Sequence, residues 1–319
     1  MAFGLHRMSI NPQVLAQAAL FHPISFLTRS PESAAERFLQ NLEAEVASGA
    51  LLVISSDNES SSIYYRQLAW DTEYFGVPMY RVDFFCSSLD GEAATLAYRD
   101  LLETLKNAVG HDAEKFYIFA EIPADAILPL QGACMGGWRL VESRLTYYHD
   151  RLQQFDYAHR FKVRLAAADD IANLSEVAAA SRNAFDRFHA DFFFSPPTAD
   201  AYLSTFVENS VKGFADVVLV PAVDDLPPNA FLTGSFVPEA SELLGRKIAR
   251  MILSAVSEKR RGWYVKLIAE LSQYFKACGV DTCYMTTQST NRAVIRTWEK
   301  LGYSFGRCAH VLVLTKGTL

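Results

Sequence analysis

Hydrophobic positions along the chain follow two periodicities, which predict helices and strands in alternation. Helical spacing is found in the segments 30–49, 90–110, 124–136, 171–185, 198–212, 263–278 and 291–301. Short apolar or alternating runs predict strands at ALLVISS, MYRVDFF, KFYIFAEI, RLVESRLTYYHD, FADVVLVPAV and residues 281–287. NAFLTGSFV and RKIARMILSAV are expected to pair as antiparallel strands, and a final strand pair is expected through AHVLVL. This alternation predicts an α/β (α+β) fold.

Two local signals bound the first predicted helix, residues 30–49. Ser33 and Glu36 have the spacing of a capping box, in which each side chain bonds the backbone N–H of the other residue. Gly49 stands where a glycine commonly follows a helix C-terminus. DNESSS, shortly after this helix, is predicted to be a polar turn.

The length of 319 residues suggests about two domains, and the two halves of the chain share one order of predicted elements. Residues 91–149 and 263–314 both run helix, glycine, strand, helix, glycine with an aromatic residue, and strand. We therefore predict an N-terminal domain over 61–155 that is a reduced copy of a C-terminal domain over 160–319. Residues 1–60 form an N-terminal extension to which we assign no role.

Bulk composition excludes several classes of function. A net charge of −6 disfavours a broad nucleic-acid surface. No uncharged apolar stretch approaches the roughly 20 residues of a membrane span, and the N-terminus lacks the apolar core of a secretory signal. Five scattered cysteines without a C-x-x-C pair indicate reduced thiols, so we expect a cytoplasmic protein. From the charge and the lack of an apolar span we expect no nucleic-acid or membrane partner. No histidine pair has metal-ligand spacing, and we expect no metal.

The segment EKRRGWYVKLIAEL places three cations, Lys259, Arg260 and Arg261, and a glycine, Gly262, directly before a predicted helix. The first turn of a helix has free N–H groups and the positive end of the helix dipole, which suit an anion such as pyrophosphate. A glycine at this point lets the backbone approach phosphates closely. The segment taken alone is equally compatible with a solvated basic turn.

The segment TTQSTNRAVIRTWEKLGYSFG resembles the closing motif of the GNAT acetyltransferase superfamily. Asn291 opens the motif, Val294 stands in place of its alanine, and Trp298 is its aromatic residue. Glu-Lys-Leu-Gly-Tyr, ending at Tyr303, completes it. The resemblance implies an acyl-CoA N-acyltransferase fold, with a degenerate GNAT-like half in the N-terminal domain.

The basic loop resembles the pyrophosphate loop of the same superfamily, Arg/Gln-x-x-Gly-x-Gly/Ala. Lys259 takes the first position, Gly262 the first glycine and Tyr264 the second. The resemblance implies acetyl-CoA as co-substrate, held by residues of the loop, of the preceding strand and of the closing motif. These residues are Ile252, Leu253, Lys259, Arg260, Arg261, Gly262, Trp263, Tyr264 and Asn291. For Ile252 and Leu253 the expected contact is a backbone N–H that meets the thioester carbonyl.

A narrower resemblance links the chain to the bacterial dTDP-fucosamine acetyltransferases. It is carried by LAWDTEYFGVPMYRVDF, with Trp70, Asp71 and Phe75, by GWRLVESRLTYYH, with Glu142, and by the stretch from Glu208 to Gly213. The resemblance covers roughly residues 65–315. It implies N-acetylation of a primary amine, with an amino sugar on a nucleotide carrier as one candidate acceptor.

Acetyl transfer to an amine needs a polarised carbonyl and a proton for the departing thiolate. In the relatives a tyrosine of the closing helix supplies that proton, and Trp298 stands at its position here. An indole N–H donates a hydrogen bond but does not release its proton at ordinary pH. Tyr303 and Tyr264 are candidate substitutes, and Glu142 is a candidate base or substrate anchor. His189, Asp191 and Glu208 are further candidates, each with a plain structural interpretation.

Three interpretations stay open at this point. The first is a GNAT-type N-acetyltransferase acting on a small-molecule amine. The second is a non-catalytic GNAT-like module that binds a CoA ester or another ligand, which Trp298 and Tyr264 favour. The third is a GNAT enzyme that uses a different acyl donor. A homodimer is one candidate assembly for any of them.

Overall fold

The computed structural model describes residues 11–28, 30–223, 227–258 and 261–319. The chain forms two compact units, which we call unit 1 (Met1–Ser143 with Arg307–Leu319) and unit 2 (Arg144–Gly306). The chain passes from one unit to the other inside two long strands, β5 (Arg139–His149) and β11 (Ser304–Lys316). The domain boundaries predicted at 61–155 and 160–319 stay a prediction.

The described helices of unit 1 are α1 (Pro12–Phe21), α2 (Pro31–Ala47), α3 (Ala69–Phe75), α4 (Gly91–Gly110) and α5 (Ile127–Met135). Its strands are β1 (Leu52–Ser55), β2 (Ser61–Gln67), β3 (Met79–Ser87) and β4 (Phe116–Pro123), completed by residues of β11. They lie in the order β1–β2–β3–β4–β11, in which only the β3–β4 pair is parallel. Apolar side chains from α1, α2 and α4 pack with this sheet in one core.

The described α-helices of unit 2 are α6 (Ile171–Ala180), α7 (Arg187–Ala190), α8 (Pro196–Asn209), α9 (Pro238–Leu244), α10 (Trp263–Ala277) and α11 (Arg292–Lys300). Its strands are β6 (Val163–Leu165), β7 (Val217–Pro221), β8 (Ala230–Phe236), β9 (Ile248–Val256) and β10 (Thr282–Gln288), together with residues 144–149 of β5. They lie in the order β5–β10–β9–β8–β7–β6, in which only the β10–β9 pair is parallel. Side chains of α10 and α11 pack on one face of this sheet, and those of α6 and α8 on the other.

The mixed α/β class is confirmed, as is the antiparallel pairing of β8 with β9. Helix α10 was expected over 263–278 and spans Trp263–Ala277, because its apolar positions keep a helical period from the basic loop onward. Gly49 follows α2 with a left-handed φ of 77°, as its sequence position indicated.

Some local predictions are wrong. Helix α2 begins at Pro31 with Ser30 as its N-cap residue, so Ser33 lies inside the first turn and is not a cap. A final strand pair was expected through AHVLVL, but this segment lies within a single strand, β11, from Ser304 to Lys316. The predicted polar turn DNESSS ends at Ser60, after which β2 begins. Within residues 1–60 the sequence did not indicate helix α1 or a short 3₁₀ turn, Ser25–Leu27.

Candidate functional site

A gap opens in the sheet of unit 2 between its two parallel strands. Strand β9 pairs with β10 from Ile248 opposite Thr282 to Met251 opposite Met285, and the described register ends there. Both strands continue, β9 to Val256 and β10 to Gln288. Since the far edge of β10 stays paired with β5 as far as Gln288, it is β9 from which β10 separates. The separation exposes strand edges to which a ligand with amide groups can bond.

A β-bulge lies at the mouth of this gap. Ser254 pairs with Leu232 and Met251 pairs with Gly234, so that Ile252 and Leu253 together face the single residue Thr233. The Thr233 hydroxyl oxygen accepts a 2.9 Å hydrogen bond from the Leu253 N–H and donates a 3.2 Å bond to the Leu253 carbonyl. Of the two backbone N–H groups predicted to meet a thioester carbonyl, that of Leu253 therefore already has an acceptor.

The N-terminus of α10 lies at the end of the loop that leaves β9. Gly262 is the N-cap residue and has a φ of 89°, in the left-handed region that glycine tolerates best. A Cβ added to Gly262 would meet no atom within 4 Å, so the space beside it is open. The first turn of α10 carries no acidic residue, and Arg261 is exposed. The predicted contacts Lys259 and Arg260 lie outside the described residues.

Two aromatic side chains connect α10 to α11. The indole Nε1 of Trp298, a residue that is 2% exposed, donates a 2.8 Å hydrogen bond to the phenol oxygen of Tyr264. Burial raises the pKa of Tyr264, while hydrogen bonds from Trp298 and from the hydroxyl of Ser254 oppose that rise. Ser254 is the first residue after the bulge, so Tyr264 reaches from the helix N-terminus to the mouth of the gap.

Tyr303 and Asn291 have local partners in unit 2. The Tyr303 phenol is buried and lies 2.8 Å from the Ser272 hydroxyl, which itself donates to the carbonyl of Ile268. Burial raises the pKa of Tyr303 well above its usual value. These contacts place Tyr303 in the core under α10. The side-chain amide of Asn291, the N-cap residue of α11, donates a 3.2 Å hydrogen bond to the hydroxyl of Thr287 on β10.

The remaining candidates have surroundings of their own, which involve neither Trp298 nor Tyr264 in the contacts below. Glu142 is buried on β5 and belongs to unit 1, whereas Trp298 and Tyr303 belong to unit 2. The His189 ring lies between the carboxylates of Asp186, at 2.8 Å, and Asp200, at 3.1 Å. The carboxylate of Asp191, which is buried, accepts from the N–H of Phe193, and Glu208 forms an ion pair with Lys212 one helical turn away.

Sequence reasoning missed Thr233 and Ser254, because a hydroxyl residue in an apolar strand is not distinctive on its own. It also did not predict that Tyr264 and Trp298 bond to each other, since the two residues are 34 positions apart. Among the described residues no group of three or more histidine, cysteine or carboxylate side chains is placed to hold a metal ion. No described helix is both long and apolar enough to span a bilayer. All five cysteines are free.

Comparison with known proteins assigns the fold. No family model and no curated protein sequence matches this chain. A GCN5-related N-acetyltransferase from Sphaerobacter thermophilus superposes with a TM-score of 0.60 at 13% identity, over 96% of this chain and 95% of that one. A GCN5-related N-acetyltransferase from Kribbella flavida superposes with a TM-score of 0.50 at 14% identity, over 86% of this chain and 94% of that one.

A third structure is the GCN5-related glucosamine N-acetyltransferase region of a fungal multi-domain β-N-acetylglucosaminidase. It gives a TM-score of 0.57 at 13% identity, over 85% of this chain and 34% of that one. These likenesses agree with the parallel strand pair that separates beside a bulge and leads into a helix N-terminus. The chain has the GCN5-related N-acetyltransferase (GNAT) fold, with a degenerate GNAT-like half at its N-terminal end.

Proposed function

We propose that unit 2 binds acetyl-CoA and transfers its acetyl group to a primary amine. The observation that carries this proposal is the continuous path in unit 2 from the bulge at Ile252, along the gap between β9 and β10, to the N-terminus of α10. Such a path offers a polarising N–H, strand edges for amide groups and a site for an anion, in that order.

The residues present fit the parts of acetyl-CoA. The open space beside Gly262 and the N–H groups of the first turn of α10, which have no acceptor within the helix, suit the pyrophosphate. Arg261 adds positive charge, and Lys259 and Arg260 are adjacent in sequence. We place the thioester carbonyl at the Ile252 N–H, because the Leu253 N–H bonds to Thr233.

Tyr264 is the residue of unit 2 that we propose to protonate the departing thiolate. In the transfer the amine nitrogen bonds to the acetyl carbon, the carbon–sulfur bond breaks, the amine loses a proton to solvent and the sulfur gains one. The Tyr264 phenol is neutral at pH 7, and the bond from Trp298 stabilises the phenolate that remains after donation. Trp298 is thus a positioning residue, whereas Tyr303 bonds to Ser272 within the core.

The acceptor that we propose to test first is an amino sugar, free or on a nucleotide carrier. The matched segments 68–84 and 137–149 support it, as does the likeness in fold to the glucosamine N-acetyltransferase region of the fungal protein. Transfer of an aminoacyl or longer acyl group in place of acetyl is a variant of this proposal, because the same path accepts the CoA portion that these donors share. We also propose a cytoplasmic location, and a homodimer stays a prediction.

The second candidate function is a GNAT-like module that binds a CoA ester without turnover. The observation that favours it is that the Tyr264 side chain itself reaches to Ser254 and Trp298, into the region where a reacting group would lie. Turnover separates the two functions.

The experiment is a release assay for free thiol with acetyl-CoA and a panel of glucosamine, a nucleotide-linked amino sugar and simple alkyl amines. We expect amine-dependent release from the native protein and none from Gly262→Asp, whose carboxylate repels the pyrophosphate. Binding of acetyl-CoA without release for any amine would overturn the catalytic proposal and support the binding module.

A further inference from the structure

Unit 1 repeats the framework of the site in unit 2, including the separation of its parallel strands. Strand β3 pairs with β4 from Met79 to Val82, opposite Tyr117 to Ala120, and both strands then continue beyond the last pair. Asp83 is an extra residue on β3, because the consecutive residues Tyr64 and Tyr65 of β2 face Phe84 and Val82. The bulge thus follows the last parallel pair directly in unit 1, as it does in unit 2.

Helix α1 forms hydrogen bonds with the edge of β3 from which β4 has separated. The Gln17 amide donates a 3.0 Å hydrogen bond to the Ser87 carbonyl and accepts a 2.9 Å bond from the Ser87 N–H. The Ser88 N–H bonds to the Ser60 carbonyl at the β2 side, and successive residues of a strand point to opposite edges. The Ser87 groups therefore point away from β2, into the groove between β3 and β4, where a side-chain amide of α1 satisfies them.

The same helix also reaches the N-terminus of α4. The Gln13 amide donates to the Leu89 carbonyl at 2.8 Å and to the carboxylate of Asp90 at 2.9 Å. Asp90 is the N-cap residue of α4, and Glu92 lies in its first turn. This helix end already carries negative charge, which repels a phosphate group, whereas the corresponding end of α10 follows three cations in sequence.

Packing fixes α1 in this place. Its buried residues Val14, Ala18 and Phe21 belong to the core of unit 1. The Phe21 ring lies 5.5 Å from that of Phe84 and 5.6 Å from that of Phe85, two residues of β3 directly beyond the bulge. One face of α1 thus packs in the core of unit 1, while Pro12 and Ala16 are exposed.

We propose that α1 occupies, within unit 1, the groove that unit 2 keeps for the amide-bearing arm of an acyl-CoA, so that one chain binds one acyl-CoA. The assignment of the ligand rests on the function proposed for unit 2. The occupancy of the unit 1 groove rests on α1 alone. Helix α1 of the N-terminal extension therefore has a role, which is to fill a ligand groove of the degenerate half.

Two measurements on the full chain test this proposal. Amide hydrogen exchange of the protein without ligand should show the Ser87 N–H protected, and Gln17→Ala should speed its exchange by about tenfold, the effect of losing one hydrogen bond. Gln40→Ala, on the exposed side of α2, is the matched control and should leave Ser87 unchanged. Calorimetric titration with acetyl-CoA should give one site per chain and none in Gly262→Asp.

The outcomes separate this inference from the proposed function. Rapid exchange of Ser87 in the native protein, two sites per chain, or one site that survives Gly262→Asp would each overturn the inference. A protected Ser87 together with no binding of acetyl-CoA would overturn the function proposed for unit 2 and still support the filled groove. A protected Ser87 with a single site lost in Gly262→Asp supports both.

Discussion

The indole Nε1 of Trp298 lies 2.8 Å from the phenol oxygen of Tyr264, and this bond joins α11 to the first turn of α10. Tyr264 stands where the resemblance places the second glycine of the pyrophosphate loop, and Trp298 stands where it places a tyrosine. The two departures from the family pattern are therefore one structural feature of this chain. The Tyr264 phenol extends from α10 towards Ser254 on β9, and the Trp298 indole on α11 donates a hydrogen bond to it.

Replacement of Tyr264 by phenylalanine tests the role of this phenol. We expect kcat to fall by roughly 10²-fold or more, with KM for acetyl-CoA nearly unchanged, because the substitution removes a proton donor and keeps the ring. The buried indole N–H also loses its acceptor, which should lower the free energy of unfolding by about 1–3 kcal/mol. Steady-state kinetics and chemical denaturation measure the two effects.

Tyr274→Phe is the matched control, since Tyr274 lies on the same helix, near Cys278. It should leave kcat unchanged. A normal kcat in Tyr264→Phe would show that the thiolate takes its proton from solvent, and Tyr264 would then be a structural residue.

Thr233 should hold the bulge of β9 in place. Thr233→Val removes the hydroxyl that accepts from the Leu253 N–H and donates to its carbonyl, with little change of volume. We expect the variant to be less stable by about 1–3 kcal/mol, because a buried N–H is left without its acceptor. Thr233→Ser keeps the hydroxyl and should retain most of the stability. Equal stability of the valine variant and the native protein would contradict the role of this contact.

His22 should make unit 1 sensitive to acid. Burial, and then the charge of Arg307, lower the pKa of His22 from 6.5 to about 4. Its Nδ1 accepts from the Ile24 N–H at 3.3 Å, which requires an unprotonated nitrogen. A depressed folded-state pKa means that the stabilisation is present above pH 6.5 and is lost as the pH falls towards 4.

Between pH 7.5 and pH 5 this loss should amount to about 2 kcal/mol. Denaturation curves of the native protein and of His22→Phe, taken at both pH values, measure it as a difference. The phenylalanine ring keeps the contact with Phe38 but does not titrate. Parallel pH dependences for the two proteins would show that His22 is not the responsible group.

The elements of unit 2 could be predicted where local pattern determines them. The amphipathic period of α10, its preceding glycine and the apolar strands β8 and β9 are properties of short segments, and the structure confirms them. The capping position at Ser30 could have been found, because Pro31 marks the first turn of α2. β11 was missed as a single strand because pairing partners distant in sequence, not local turn signals, determine where a strand ends.

The parts of the site that depend on distant contacts could not be predicted. The bulge at Ile252 and Leu253 exists only in the register with β8, and the Tyr264–Trp298 bond needs the packing of α11 against α10. The role of α1 was hidden for the same reason. Gln17 is an ordinary polar helix residue until the groove beside Ser87 is known.

The measurement that tests the central claim most directly is a calorimetric titration of the purified protein and of Gly262→Asp with acetyl-CoA. Saturable binding by the native protein that the variant loses would support the N-terminus of α10 as the pyrophosphate site. Equal binding by both proteins would move the ligand elsewhere. No binding by the native protein at millimolar acetyl-CoA would contradict the acetyltransferase proposal and leave only the fold.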